Sequence, residues 1–204
     1  MCNRFRAEAA RDAIAGRMNA TLRSEYGRLP EPELFPRRLA WIAREDDGER
    51  ILDTIDWGIP LNMPGKRPGT TITKWITNVR NLSSPFWRSA LKDPARRCLV
   101  PFTSLTEPKI GEGQACWWFN LPSAEIAAFA GVWRPYTIEH KGEPLSGVGF
   151  AFLTCEPNPL VAPLHPKAMP VILDPADYDR WLAGEYDDAC ALAQPFPSQL
   201  MSVR

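Results

Sequence analysis

The sequence has no long hydrophobic run. No apolar stretch approaches the roughly 20 residues that a membrane-spanning helix needs. The N-terminus also lacks the apolar core of about 7–15 residues that characterises a secretory signal. These absences argue against a membrane protein and a secreted one, so we expect a cytoplasmic protein that does not interact with membranes.

Metal-ligating patterns are also scarce. There is no CxxC pair, and only two histidines, His140 and His165, are available, so we predict no metal site and no cofactor. Unpaired thiols inside a cytoplasmic chain are usually buried small hydrophobes. Only the cysteine directly after the initiator methionine departs from that interpretation, because chain ends are usually poorly packed. The cysteines are Cys2, Cys98, Cys116, Cys155 and Cys190.

The chain has no net charge, but its charges are unevenly placed. Residues 60–110 hold nine lysines and arginines against two acidic residues. Such a segment could form one face for an anion such as a nucleic-acid backbone, or an ordinary solvated surface. On sequence spacing alone the ordinary solvated surface is the favoured interpretation.

Hydrophobic residues make up 45% of the 204 positions, enough for the core of one domain spanning 1–204. Helix formers and capping signals predict helices over 7–26, 83–93 and 174–184. Turn-forming clusters occupy 62–69, 109–113 and 140–144. Because strands outnumber helices and do not alternate regularly with them, we predict an α+β domain with a mainly antiparallel, barrel-like β core flanked by a few short helices. The predicted strands are 39–43, 49–59, 96–102, 114–121, 129–136, 148–156 and 169–173.

Cys2 has a specific chemistry if Met1 is removed. The new N-terminus would carry an amine and a thiol on adjacent carbons. With an aldehyde, the amine forms a Schiff base and the sulfur then closes a five-membered thiazolidine ring. Closure is favoured because the second attack is intramolecular. The alternative interpretation is that Cys2 is an incidental second residue.

A site of this kind needs groups that move protons and hold a sugar. Glu107 ends the run RRCLVPFTSLTE at an expected strand-to-loop transition, and His165 lies between two prolines ahead of an apolar strand. Either could shuttle protons. Asn78 and Arg80, in TNVRN, offer an amide and a forked cation suited to a sugar hydroxyl and a phosphate. Among the eight tryptophans, Trp57, Trp75 and Trp87 are candidates for stacking on bases, although most tryptophans belong to cores.

Seven segments, in this order, resemble the SOS response-associated peptidase (SRAP) family, proteins that shield abasic sites in single-stranded DNA. The resemblance spans most of the chain, and the ordered set is more specific than any one segment. The segments are MCNRF (1–5), IDWGIP (55–60), TNVRN (77–81), RRCLVP with Glu107, FAGVW (129–133), FAFLTCEPN (150–158) and HPKAMPVIL (165–173).

The resemblance implies a mechanism and a set of site residues. Cys2 would capture the ring-opened abasic sugar as a DNA–protein crosslink, with lyase and autopeptidase character. Glu107 would act as the acid/base, His165 would assist at the sugar and in reversal, and Asn78 would hold the opened sugar. The expected partner is single-stranded DNA containing abasic sites, with the protein a monomer that joins the nucleoid when DNA-bound. The expected DNA contacts are Asn3, Arg4, Arg80, Trp75 and Lys167.

The sequence also departs from the family pattern. Asn3 stands where the family usually has glycine, HPKAM places His165 four residues before the methionine rather than three, and Lys167 stands in place of the usual arginine. Two alternative functions remain open at this point. One is a thiol peptidase or hydrolase that uses Cys2. The other is a non-covalent single-stranded-DNA-binding module that uses the basic 60–110 segment.

Overall fold

The computed structural model describes residues 3–109, 111–113, 115–140 and 142–204. Strands outnumber helices in this part of the chain, as predicted. The helices are α1 (Arg11–Met18), α2 (Pro85–Lys92), α3 (Tyr178–Ala183) and α4 (Tyr186–Ala191). The strands are β1 (Phe5–Arg6), β2 (Thr21–Leu22), β3 (Glu33–Leu34), β4 (Leu39–Asp46), β5 (Glu49–Trp57), β6 (Ile59–Pro64), β7 (Thr71–Ile76), β8 (Asn78–Val79), β9 (Arg97–Phe102), β10 (Ser104–Pro108), β11 (Cys116–Asn120), β12 (Ala127–His140), β13 (Glu143–Cys155), β14 (Met169–Pro170), β15 (Ile172–Leu173) and β16 (Ser202–Val203).

Five strands close into a barrel. Their order around the ring is β4, β5, β13, β12 and β9, and β9 returns to β4. A ring with an odd number of strands cannot alternate direction throughout, so one neighbouring pair must be parallel. That pair is β5 and β13, joined where Gly149 lies opposite Asp56 and Phe150 opposite Trp57. The predicted α+β class with a mainly antiparallel, barrel-like core is therefore confirmed.

A second sheet covers the barrel and carries the N-terminal strand. Its order is β16, β11, β10, β1 and β3. Phe5 of β1 is wholly buried, and its ring centroid lies 5.1 Å from that of Trp57, 5.7 Å from Phe129 and 6.2 Å from Phe152. Burying such aromatic side chains is strongly favourable. Phe5 thereby anchors the start of the chain against three barrel strands.

The predicted helix over 7–26 is too long at both ends. Only Arg11–Met18 is helical, with Ile14 and Met18 buried as the four-residue spacing implied. Before it, the Ala7 N–H donates to the Pro32 carbonyl (2.9 Å), and after it Asn19 adopts a left-handed conformation (φ 51°) that ends the helix. The following Thr21–Leu22 then pairs with β5 instead of continuing the turn.

The other predicted elements are found with small shifts. The 83–93 helix begins at Pro85 as its proline signal indicated. The 174–184 helix begins as a short 3₁₀ turn, where Asp174 accepts a hydrogen bond from the Ala176 N–H, and continues as α3. The predicted turn at 62–69 is partly strand, because β6 runs to Pro64 and pairs with β7, which was not predicted. No helix within the described ranges is long and apolar enough to cross a bilayer.

Candidate functional site

Glu107 is the most unusual side chain of the described structure. Sequence analysis placed it at the end of a strand, but it lies within β10 and is 0% exposed. Neither of its carboxyl oxygens has a hydrogen-bond partner among the described residues. Buried polar groups normally have a partner, and an unsatisfied one costs roughly 1–3 kcal/mol. Such a carboxyl is what a ligand-binding or catalytic site requires.

His165 faces this carboxyl from the segment between β13 and β14. Its Nε2 atom lies 3.5 Å from Glu107 Oε2, and its Nδ1 atom lies 2.8 Å from the Ala168 carbonyl oxygen. Because a carbonyl can only accept, Nδ1 carries the ring hydrogen in the neutral imidazole. The Nε2 lone pair is then directed to Glu107. The structure thus brings together the two predicted proton-transfer residues.

The pKa values of this pair shift in opposite directions. Burial raises the pKa of Glu107 to about 7. Burial, together with the positive charge of Lys167, lowers the pKa of His165. At neutral pH a large share of Glu107 is therefore protonated beside a neutral imidazole, which suits a general acid next to a proton acceptor.

The N-terminal strand runs towards Glu107. β1 pairs antiparallel with β10, with Phe5 opposite Leu105, and the Thr106 N–H donates to the Arg4 carbonyl (3.2 Å). Continuing this register by two residues places Asn3 opposite Glu107. The predicted nucleophile, Cys2, lies outside the described residues.

Asn78 lies in β8, is 9% exposed and is opposite Phe152 of β13. Its side-chain amide donates to the Thr77 hydroxyl (2.7 Å), while the Trp57 indole N–H donates to the Thr77 carbonyl (3.0 Å). Asn78 is thereby connected to the aromatic cluster that holds Phe5.

The predicted phosphate ligands have other contacts in this structure. Arg4 forms an ion pair with Glu33, and Arg80 forms one with Glu156. A phosphate would therefore have to replace a carboxylate at each arginine. Lys167 is exposed, two positions after His165.

The predicted base-stacking tryptophans divide into two kinds. Trp57 is wholly buried and Trp87 is 6% exposed, so neither can offer a face to a base. Trp75 is half-buried in β7, and one of its faces is covered by the Arg37 guanidinium, 5.1 Å from the ring centroid. Sequence analysis missed Arg37, because this contact joins a turn and a strand far apart in the chain.

The basic 60–110 segment does not form one continuous element. Lys66, Arg67 and Lys74 belong to the β6–β7 hairpin, whereas Arg88 lies on α2 and Arg97 is wholly buried. No group of three or more histidine, cysteine, aspartate or glutamate side chains that could hold a metal ion occurs in the part of the chain that the structure describes.

A family model described as SOS response associated peptidase (SRAP) matches residues 1–204. No curated protein is significantly similar to this chain.

Three solved structures share the fold. A protein from Bordetella bronchiseptica is 24% identical with a TM-score of 0.75, covering 99% of this chain and 98% of its own. A protein from Bacteroides thetaiotaomicron is 17% identical with a TM-score of 0.76, covering 99% and 90%. A phage-related protein from Bordetella bronchiseptica is 19% identical with a TM-score of 0.70, covering 100% and 93%. At these identities the likeness is one of fold.

Proposed function

Because the chain belongs to the SOS response associated peptidase (SRAP) family, we propose that it captures abasic sites in single-stranded DNA as a covalent adduct of Cys2, after loss of Met1. Family membership by itself associates the chain with the SOS response and a peptidase-like function. The finer proposal depends on the chemistry of an N-terminal cysteine and on the buried Glu107 at the strand that leads to it.

The proposed reaction joins one aldehyde to two groups of one residue. The Cys2 amine attacks the aldehyde carbon of the ring-opened sugar, and the carbinolamine loses one water to give a Schiff base. The Cys2 sulfur then adds to the same carbon, and its proton passes to the nitrogen. One C–N and one C–S bond form, one water leaves, and no oxidant or reductant is needed. The intramolecular second step makes the thiazolidine more stable than the Schiff base.

The observation that carries the proposal is the buried Glu107 carboxyl, which has no hydrogen-bond partner among the described residues and lies 3.5 Å from His165 Nε2. Its raised pKa leaves a proton available near pH 7 for the departing water or for opening the cyclic hemiacetal. The neutral His165 can accept a proton in the reverse direction. The β1–β10 register carries Asn3 to a position opposite Glu107, and Asn3 is the residue that follows Cys2 in the sequence.

A denaturing gel tests the proposal. The protein is incubated with a single-stranded oligonucleotide that contains one abasic site, and with the same oligonucleotide undamaged. We expect a slow-moving adduct only with the abasic strand, which disappears in Cys2→Ala and persists in Cys116→Ala, the same change at a partly exposed thiol elsewhere in the chain. An adduct that survives Cys2→Ala would overturn the mechanism. Salt-sensitive binding indifferent to the lesion would favour a non-covalent module instead.

A second activity of the same site is self-removal of Met1. It is favoured by the family description and by the acid and imidazole at the strand leading to the N-terminus. We expect Glu107→Ala, produced by translation without methionine aminopeptidase, to retain Met1, whereas the parent protein loses it. Equal loss of Met1 in both proteins would show that Glu107 plays no part in processing.

A further inference from the structure

A strained turn precedes β4. The Arg38 N–H donates to the Phe35 carbonyl (3.1 Å), which closes a β-turn with Pro36 and Arg37 at its centre. Proline fixes a negative φ at the first central position, and Arg37 has φ 68° at the second, which is the type II pattern. That second position strongly favours glycine. Because the backbone conformation disfavours arginine, we infer that the side chain of Arg37 is the reason for its presence in this turn.

The Arg37 side chain is exposed and contacts an aromatic ring. Its guanidinium lies over the Trp75 ring, 5.1 Å from the ring centroid, and Trp75 also makes an edge-on contact with Tyr136 (6.1 Å between centroids). Among the described residues no carboxylate forms an ion pair with Arg37, unlike Arg4 and Arg80. A stacked guanidinium keeps its planar N–H edge available for a bidentate bond to an oxyanion.

The turn that carries Arg37 is also bonded to the backbone of Trp57 in β5. Its backbone N–H donates to the Trp57 carbonyl (2.7 Å), and the Trp57 N–H donates to the Arg38 carbonyl (2.9 Å). The same Trp57 holds the strand that leads into Asn78 through its indole bond to Thr77. The turn is therefore linked through Trp57 to the segment that carries Asn78, the residue expected to hold the opened sugar.

We propose that Arg37, supported by Trp75, is a phosphate-binding subsite that positions the single strand next to the abasic residue. This rests on the proposed function for its ligand, a DNA backbone, but it acts without the covalent step. In this proposal Trp75 holds the Arg37 guanidinium in place by a cation–π contact and does not itself stack on a base. Arg37 is a positioning residue and takes no part in bond formation.

The test measures non-covalent binding. Fluorescence anisotropy follows a labelled, undamaged oligothymidine binding to protein that carries Cys2→Ala, with and without Arg37→Gly, over a series of salt concentrations. Glycine suits the left-handed backbone, so the melting temperature should not fall. We expect affinity to drop about tenfold, as for loss of one charged hydrogen-bonded contact, and the salt slope to decrease by about 0.7, as for one phosphate on a single strand. Arg88→Ala on α2 removes an equal charge elsewhere and should change neither quantity as much.

A double-mutant cycle distinguishes two roles for Trp75: holding the Arg37 guanidinium in place, or stacking on a base independently of Arg37. If Trp75 acts through Arg37, Trp75→Leu should weaken binding in the parent protein but add little in the Arg37→Gly background. Arg37→Gly behaving like Arg88→Ala would overturn the subsite. If Arg37→Gly in the protein that keeps Cys2 still crosslinks normally to saturating abasic DNA, the proposed function stands even though the subsite is overturned. Conversely, Arg37-dependent binding without any adduct would leave the subsite standing and remove the covalent function.

Discussion

At the residue scale, the acid of the proposed mechanism depends on how completely its carboxyl is removed from water. Glu107 is 0% exposed, lacks a hydrogen-bond partner in the described chain, and faces the unprotonated nitrogen of His165. Desolvation favours the neutral acid in this environment. Near pH 7 the pair is therefore in large part a neutral carboxylic acid beside a neutral imidazole, and not an ion pair.

Glu107→Gln should slow adduct formation without preventing DNA binding. Glutamine keeps the shape but cannot release a proton, and general acid catalysis typically contributes about 10²–10⁴-fold. The measurement is the single-turnover rate of adduct formation at several pH values. In the parent protein we expect a decline as pH rises through about 7, where Glu107 loses its proton. The substitution should abolish that decline, and a pH profile unchanged in the variant would contradict the assignment.

The same carboxyl predicts a pH-dependent stability. The pKa of Glu107 is raised in the folded protein, so between about pH 4.5 and 7 the folded state binds more protons than the unfolded state. Stability from this residue is fully present below that window and is lost as pH rises through it, by at most about 1.4 kcal/mol per pH unit. Urea unfolding at pH 5, 6 and 7 should show the free energy of unfolding of Glu107→Gln rising relative to that of the parent protein as the pH increases. The lowered pKa of His165 changes stability with pH in the opposite direction, but it does so equally in both proteins and cancels in the comparison. If the free energies of unfolding of the two proteins change in parallel with pH, the pKa of Glu107 is not raised in the folded protein.

At the scale of elements, one buried cation joins the helices to the barrel. Arg97 at the start of β9 is 0% exposed and donates to the carbonyls of Leu91 (2.9 Å), Trp181 (2.8 Å) and Gly184 (2.7 Å), at the C-terminal ends of α2 and α3. Cations suit helix C-termini, whose last carbonyls lack intrahelical partners.

Arg97→Met should destabilise the protein by about 3 kcal/mol or more, because it removes the donor from two buried carbonyls and one partly buried carbonyl. Denaturant unfolding measures the loss, with Arg88→Met on the exposed face of α2 as the control, expected within about 0.5 kcal/mol of the parent. Equal stability of the two variants would mean that the bonds of Arg97 contribute little.

The parallel seam of the barrel depends on a glycine. A Cβ atom at Gly149 would clash with the carbonyl oxygen of Gly58. Gly58 is held in this position because its N–H donates to the Phe150 carbonyl (2.8 Å). Gly149→Ala should therefore cost about 1–3 kcal/mol through overpacking. The same change at Gly16, where a Cβ meets nothing within 4 Å, should stabilise the exposed helix α1 by about 0.5–1 kcal/mol. Thermal melts of both variants test this, and a Gly149→Ala variant as stable as Gly16→Ala would show that the seam can shift.

These elements also show what sequence reasoning could and could not reach. Short strand-like runs bounded by turn-forming clusters predicted the barrel strands. The helix over 7–26 was overextended because the four-residue spacing continues to Leu22, while the strand pairing of Thr21–Leu22 with β5 overrides it. The β6–β7 hairpin was missed because proline and glycine at its ends are typical of turns.

At the scale of the whole molecule, the fold brings the N-terminal strand alongside the strand that carries a buried acid. Phe5 fixes β1 against the barrel, and β1 runs beside β10 towards Glu107. The resemblance of ordered motifs predicted Glu107 and His165 as partners. Their 3.5 Å approach could not be predicted from spacing, since they belong to segments that meet only through tertiary packing. Arg37 carried no motif, and only its contact with Trp75 reveals it.

The central claim is that the mature N-terminal cysteine joins an abasic sugar through both its nitrogen and its sulfur. Intact-mass spectrometry of the protein, alone and after incubation with an abasic single strand, tests this directly. The account predicts a free protein lighter by one methionine and an adduct equal to protein plus oligonucleotide less one water, which survives denaturation and, after digestion, maps to Cys2. A mature protein that keeps Met1, or an adduct that maps to any other residue, would contradict it.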